Sequence, residues 1–594
     1  MPHAKSGFSK AKDSKGTIRQ LLIDLKDYKK SIIVATVFAI LSSGLGVVGP
    51  KLLGEITTSA IASFTETGTV DWAPISRIAD ILIVIYFASS LLNYLQSLIM
   101  NIMTARYTKK LRERILKKIN CLPISYFDKH QYGDVLSRMS NDIDTIAAGL
   151  SEEIIEIVTS LITIVGILVM MLTISLPLSA ISLVSIPLSI VFIKNITKKA
   201  QKLFVASRET LGILNNHIEE DYSAQLIIKS FSHEEKSTDN FEKVNEKLYE
   251  ESWKSNFLSR LSFPIVHILT NLSYVAVCIL GGFLAIDGKI TIGNIQAFIQ
   301  YTSQFNRPVS NIADIIGNIQ LTIAAAERIF EFLSEKEEAA DPENPKHIEN
   351  PKGHVSFHNV CFAYEKDTPI IQNFNIDIPA GSQVAIVGPT GAGKTTIINL
   401  LMRFYDVDSG YISIDDIPVS EMTRQEVRSL FGMVLQDTWL FSGTIAENLK
   451  YGDTSATDEK MYSATKNANV DHYIESLDKE YETMISEDSD NISAGQKQLL
   501  TIARAIIANP PMIILDEATS NVDTRTEQLI QEAFDRLTKN RTSFIIAHRL
   551  STIRNADIIL VMDKGKIIEK GNHEELLKKN GFYAELYNSQ FSEN

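Results

Sequence analysis

Val384-Ala385-Ile386-Val387-Gly388-Pro389-Thr390-Gly391-Ala392-Gly393-Lys394-Thr395-Thr396 is the stretch on which the reading of this chain turns. Four apolar residues form a buried strand, the glycines open a tight loop, and the apolar run 397–402 continues as a helix. That context is what a phosphate-binding loop requires. Glycines let backbone N–H groups approach phosphate oxygens, and the helix N-terminus adds a favourable dipole. Lys394 reaches the β and γ oxygens, and the Thr395 hydroxyl is placed to ligate Mg²⁺. A nucleoside triphosphate site, with ATP and Mg²⁺ as cofactors, is the expectation.

Downstream, Met512-Ile513-Ile514-Leu515 reads as a buried strand ending in Asp516-Glu517. Two carboxylates at a strand end suit a metal-bound triphosphate: Asp516 for Mg²⁺, and Glu517 as acceptor of a proton from the attacking water. His548 ends another apolar strand, 544–547, and is expected to reach the γ-phosphate as a donor. Upstream, a polar stretch rich in Glu, Pro and Asn over 334–352 reads as a linker, and period-two alternation starts at Val355. A soluble domain therefore occupies 353–594.

The first half has a different character. Residues 31–50 contain no charged residue or histidine, and twenty residues at 1.5 Å each span the ~30 Å hydrocarbon core. The stretch is too long for the apolar part of a signal peptide, so it reads as a retained span. Uncharged runs follow at 81–105 and at 157–193, the second long enough for two spans joined at Ser175-Leu176-Pro177. A fifth span covers 263–286, and a sixth starts near Thr291 and passes Arg307 and Asp314 toward Ala326. The expected membrane domain is thus 31–333 with six helices, preceded by a cytoplasmic segment, 1–30. Lys and Arg crowd the first thirty residues, 106–118 and 194–202, which places both termini and the ATPase domain in the cytoplasm of a multi-pass cell-membrane protein. The long charged connections 106–156 and 194–260 read as helices continuing out of the bilayer. On span six, Gln296, Gln300 and Gln304 share one helical face, and Phe298, Tyr301 and Phe305 take the opposite one. The amides, with Asn93, Gln96, His267 and Asn271, either line a cavity or bond neighbouring helices.

Charge and cysteines exclude other classes. The first 335 residues carry 33 Lys+Arg against 31 Asp+Glu and the remainder 25 against 40, so the net −13 resides in the C-terminal part. Such a surface disfavours nucleic acid. Cys121, Cys278 and Cys361 lie far apart with no metal or disulfide spacing.

Ile492-Ser493-Ala494-Gly495-Gln496, between the phosphate loop and Asp516, resembles the signature motif of ABC transporters. The whole chain is similar to the half-transporters of the type IV exporter family: an α-helical polytopic membrane domain with long cytoplasmic extensions fused to an α/β P-loop ABC ATPase domain. Residues 436–445, beginning Gln436-Asp437, match the family's Q-loop. The resemblance implies ATP-driven export across the lipid bilayer, with Tyr364 stacking on adenine, Gln436 sensing Mg²⁺ and the docking surface, and His548 as the switch histidine. It implies a nucleotide held by Gly388, Pro389, Thr390, Gly391, Ala392, Gly393, Lys394, Thr395 and Thr396 of one subunit and Ser493, Gly495 and Gln496 of another. Metal contacts fall to Thr395, Gln436 and Asp516. The chain must therefore pair, with helical stalks around 125–142 and 219–230 carrying motion to the spans.

The signature departs from the family's Leu-Ser-Gly-Gly-Gln. Ala494 replaces the first Gly, Glu487, Asp488 and Asp490 crowd the same helix start, and Asn521-Val522 replaces the usual Ala-Leu before Asp523. A methyl at 494 restricts φ and is expected to hold phosphate away. With Lys394, Asp516, Glu517 and His548 intact, this favours the catalytically competent half of a heterodimeric multidrug exporter, moving small amphipathic or hydrophobic compounds. The alternatives are a homodimeric lipid or peptide exporter, or an ATP-gated channel or regulator.

Overall fold

The computed structural model describes residues 13–365, 368–436, 438–485, 492–516, 523–546 and 550–591. The chain forms two compact units, and the division does not follow the sequence simply. One holds 1–120 and 131–335; the other holds 336–594 together with Cys121–His130.

The described residues of the first unit form helices joined by short turns. Six long helices, Lys29–Thr67, Trp72–Cys121, Ile154–Ile174, Leu176–Ser223, Glu234–Ile286 and Ile292–Ser334, run through the stretches read as spans. Four stretches of the described residues are long and apolar enough to cross a bilayer: Ser14–Thr67, Trp72–Cys121, Tyr132–Ile174 and His267–Ile286. The fourth and sixth expected spans pass through 185–197 and 306–316, where several side chains, including Arg307 and Asp314, lie outside the described residues. Ser175 breaks the helix in extended conformation and Pro177 opens the next, as the sequence suggested. Helices of 48 and 53 residues are about 70 to 80 Å long, more than twice the hydrocarbon thickness, so much of each lies outside the bilayer.

The aromatic face of the last helix points into this unit's core. Phe298, Tyr301 and Phe305 pack with Val47, Ile167, Met171, Leu178 and Val277, and the Tyr301 hydroxyl donates to the Val47 carbonyl at 2.8 Å. The opposite amide face is more open: Gln300 is half-buried and Gln304 exposed, while Gln296 accepts a hydrogen bond from Thr57. Gln96 is buried, whereas Asn93, His267 and Asn271 are exposed.

Two π-helical turns, Arg138–Asp142 and Gly149–Glu153, interrupt the helix leading to span three. They lie against Ile292–Ser334, fastened by Arg328 Nε to Asp142 (2.8 Å), Asn318 Nδ2 to Glu153 (2.6 Å) and, one turn on, Asn311 Nδ2 to Glu156 (2.6 Å).

The second unit is built on two sheets. A six-stranded sheet runs Lys566–Gly571, Ile558–Asp563, Gln383–Val387, Thr542–Ile546, Met512–Asp516, Phe431–Val434, parallel except at the first edge. An antiparallel sheet of Thr368–Ile378, Val355–Glu365, Ser409–Ile414 and Ile417–Pro418 covers one face. Side chains alternate between two cores. Val384, Ile386, Ile514 and Ile546 face Phe357, Phe374 and the helix Lys394–Leu401, while Ala385, Val387, Ile513 and Leu515 face Leu499, Ile502, Ile530 and Phe534. Strands buried on both faces are why this part reads as continuous apolar runs.

Candidate functional site

Parallel strands deliver their C-terminal ends to one edge. Ile386, Ile546 and Asp516 are level across three neighbouring strands, and Val434 is level with Leu515 on the fourth. The phosphate loop therefore leaves its strand beside the ends that carry Asp516 and, two residues past Val434, Gln436. Ligands of parallel α/β sheets bind at this edge. His548 follows Ile546 by two positions and Glu517 follows Asp516 directly; both lie outside the described residues, as does Asp437.

Two glycines of the loop have no substitute. A Cβ on Gly388 would meet the Met562 carbonyl oxygen at 2.3 Å, and Gly393 caps the helix Lys394–Leu401 with φ +96°. A Cβ on Gly391 would meet nothing within 4 Å, so the mouth of the loop is open. Lys394 Nζ turns into that mouth and donates to the carbonyls of Gly388 (2.8 Å) and Pro389 (3.1 Å). Burial lowers the pKa of this ammonium and the charge of Asp516 works against that shift. A desolvated cation beside an open glycine loop is complementary to phosphate, so the residues fit a nucleoside triphosphate. Thr395 is exposed at the helix start and Asp516 half-exposed at its strand end, an all-oxygen set suited to Mg²⁺.

Tyr364 belongs to the same place. Its hydroxyl donates to Thr396 and accepts from Asn399, both at 3.3 Å and both on the phosphate-loop helix, and the residue is 38% exposed. A partly exposed aromatic side chain is thus held beside the helix that begins at Lys394.

Ser493, Gly495 and Gln496 form a separate feature at the start of the helix Ala494–Ala508. Ser493 and Gln496 make a reciprocal capping box: Gln496 N–H donates to the Ser493 hydroxyl (3.3 Å) and Ser493 N–H to the Gln496 amide oxygen (2.9 Å). Ala494 is the first helical residue and is absent from the residues with positive φ. The methyl at 494 thus sits in a helical backbone conformation, to which alanine is well suited. Glu487, Asp488, Asp490, Asn521 and Val522 lie outside the described residues, while Asp523 caps the helix Thr524–Thr538 through Arg525 and Thr526 N–H.

Sequence reasoning missed a charged hub behind the site. Arg424, nearly buried, binds Asp406 (2.8 Å), Asp341 (3.3 Å) and the Ala339 carbonyl (2.6 Å), and Arg428 binds Glu338 (3.0 Å). The 334–352 linker is thereby stitched to the domain. A second clamp, Arg504, donates to the Asn448 and Trp439 carbonyls and lies over the rings of Phe441 and Tyr451, fixing the segment that follows Gln436.

Comparison with known proteins bears on the same regions. Residues 32–309 match the family of the ABC transporter transmembrane region, and residues 371–520 the family described as ABC transporter. A Mycobacterium bovis protein named fatty acid ABC transporter ATP-binding/permease protein is 42% identical, covering 97% of both chains. An ATP-dependent lipid A-core flippase of Syntrophus aciditrophicus is 34% identical over 88% of this chain and 86% of its own. A putative multidrug export ATP-binding/permease protein of Bacillus subtilis is 32% identical over 97% of this chain and 99% of its own.

Proposed function

Because the chain belongs to the ABC transporter family, as a multi-pass membrane protein that hydrolyses ATP to drive export, we propose that its cargo is an amphipathic or hydrophobic compound, an acyl-chain lipid foremost. The observation that carries the reading is the shared strand edge where Lys394, Asp516 and Gln436 converge, fused to apolar helices. The cargo class is supported by the relatives' names and by a last helix with an open amide face and a packed aromatic face.

In the proposed mechanism Lys394 donates to the β and γ oxygens of ATP, and Tyr364 stacks on its base. Thr395, Gln436 and Asp516 would hold Mg²⁺, which when bound would neutralise charge on the triphosphate. Glu517 accepts the proton of the attacking water and His548 donates to the γ-phosphate. Ser493, Gly495 and Gln496 of the partner subunit's equivalent turn would close over the phosphates, so ATP favours a closed dimer. Only its preference for that state shifts the populations. Six spans put both termini and the ATPase domain in the cytoplasm, and the exposed segment with Tyr222, Leu226 and Phe231 reaches to the partner. A second, different half-transporter is the partner favoured by the acidic residues before the signature. Self-pairing is the second reading, favoured by the relaxed helical setting of Ala494.

Reconstitution into lipid vesicles tests the whole. A fluorescent long-chain fatty acid and a cationic amphipathic dye are offered with ATP to the wild type and to Glu517→Gln, with and without any half-transporter that co-purifies. ATP-dependent accumulation that Glu517→Gln abolishes is expected. Downhill flux of either probe that persists in Glu517→Gln would replace the pump with a gated pore.

A further inference from the structure

The phosphate-loop helix ends on an unusual turn. Arg403 N–H donates to the Leu400 carbonyl and Phe404 N–H to the Asn399 carbonyl, the pattern of a helix closed by a left-handed residue, which is normally glycine. Here that residue is Arg403, at φ +51°. Its buried guanidinium holds the conformation by donating to the Val419 (2.9 Å) and Met422 (2.8 Å) carbonyls and to Asp406 (3.1 Å). Phe404 lies beneath Arg428, 5.3 Å from its guanidinium. Tyr405, between Phe404 and Asp406 in sequence, is therefore held close to the end of the helix that begins at Lys394.

Tyr405 faces two ways. Its ring sits edge-on to Tyr364, with centroids 5.0 Å apart at 88°, and 5.5 Å from Phe362. Its hydroxyl donates to the carboxylate of Asp128, 277 positions away in sequence, on the short helix Ile124–Lys129. That helix belongs to the ATPase unit, and a further bond from Glu338 N–H to the Cys121 carbonyl (2.9 Å) holds it there. Yet the chain enters it from Trp72–Cys121 and leaves it toward Tyr132–Ser137, both of the membrane unit. Burial and the Asp128 carboxylate both raise the pKa of the Tyr405 hydroxyl, so it stays a donor.

We propose that Tyr405 is a positioning residue that passes occupancy of the base pocket to the Cys121–His130 segment, through contact with Tyr364 on one side and a hydrogen bond to Asp128 on the other. A base stacked on Tyr364 confines that ring. The confined ring confines the edge of Tyr405, and a hydroxyl held in one orientation bonds Asp128 more persistently. Asn399 makes the three move together, because its side chain donates to the Tyr364 hydroxyl while its carbonyl accepts from Phe404 N–H. The inference rests on the assignment of Tyr364 as the base platform.

Amide exchange of residues 121–130 in the full-length protein in lipid nanodiscs, with and without saturating Mg²⁺ and a non-hydrolysable ATP analogue, tests the relay. The analogue should slow exchange about tenfold in the wild type, the scale of one charge-assisted hydrogen bond made persistent. In Tyr405→Phe, which keeps the ring, and in Asp128→Ala, the slowing should fall below about twofold while analogue affinity changes less than about threefold. The double variant should lose nothing further, since both remove one bond. Analogue-dependent protection of wild-type size in either single variant, or none in the wild type, overturns the relay. Tyr364→Ala reports separately: tenfold weaker analogue binding upholds the platform, and unchanged binding removes the platform and the relay with it.

Discussion

Gly54 and Gly293 cross backbone to backbone: a methyl group on Gly293 would lie 1.8 Å from the Gly54 carbonyl oxygen, and one on Gly54 would lie 2.4 Å from that of Gly293. Thr58 to Thr291 (3.0 Å) and Thr57 to Gln296 bond beside the crossing. Small residues let membrane helices approach this closely, and the packing is what associates them where lipid is as apolar as leucine. Gly293→Ala should force the helices apart, because the obstructing atom is backbone. Overpacking of this kind costs ~1 to 3 kcal/mol, so in a unit of this size the heat-inactivation midpoint should fall by roughly 2 to 5 °C. Gly282, where a Cβ would meet nothing within 4 Å, is the control, and Gly282→Ala should leave the midpoint unchanged. Equal midpoints for both variants would show that the crossing contributes nothing.

Lys394 is desolvated in the free protein and bonded to two loop carbonyls. Removing it relieves a desolvated charge, so Lys394→Ala should fold as well as the wild type. ATP hydrolysis should nonetheless fall about 100-fold or more, the usual loss when a donor to transferring oxygens is deleted. Lys394→Arg should not rescue it, since a planar fork does not occupy the space of a compact ammonium. A parallel loss of melting temperature and activity in Lys394→Ala would mean that the side chain is structural.

What the sequence discloses is what short-range pattern can encode. The strand–glycine–helix context around Lys394, the buried run before Asp516 and the break at Ser175-Leu176-Pro177 are fixed by neighbours, and they sit where they were expected. The relations that join parts of the molecule are not local. Tyr405 meets Asp128 across 277 residues, and Arg424 gathers Asp341 and Asp406 from 83 and 18 positions upstream. No periodicity marks such pairs. Cys121–His130, flanked on both sides by membrane-unit chain, gave no sign in composition that it packs with the ATPase unit.

Asp142 and Arg328 make an unequal pair. The Asp142 side chain is 7% exposed and that of Arg328 32%, so the carboxylate depends on the guanidinium while the guanidinium retains access to water. Arg328→Ala strands a buried anion and should destabilise by ~3 kcal/mol, in the range for breaking a buried pair. Asp142→Ala leaves a cation that can reach solvent and should cost less, about half as much. Thermal unfolding of the two variants in the same lipid gives the order, and a larger loss for Asp142→Ala would contradict the burial.

Ala494 separates the two accounts of pairing. At the first position of Ala494–Ala508 its φ is helical, and the capping box of Ser493 and Gln496 already fixes the turn without a glycine. Returning the family's residue, Ala494→Gly, should cost up to ~1 kcal/mol of helix stability through added backbone entropy. Its effect on ATP hydrolysis, measured on the purified protein in lipid, should stay within about threefold, because one methyl on an exposed helical position neither strains the chain nor fills a packed site. A rise above about tenfold would mean that the methyl stands between the signature and a phosphate of the facing subunit, with each tenfold step equal to ~1.4 kcal/mol of recovered transition-state stabilisation. The degenerate-signature account, and with it a different partner subunit, would then follow from one atom group. An unchanged rate removes that support and leaves the pairing to be decided by what co-purifies.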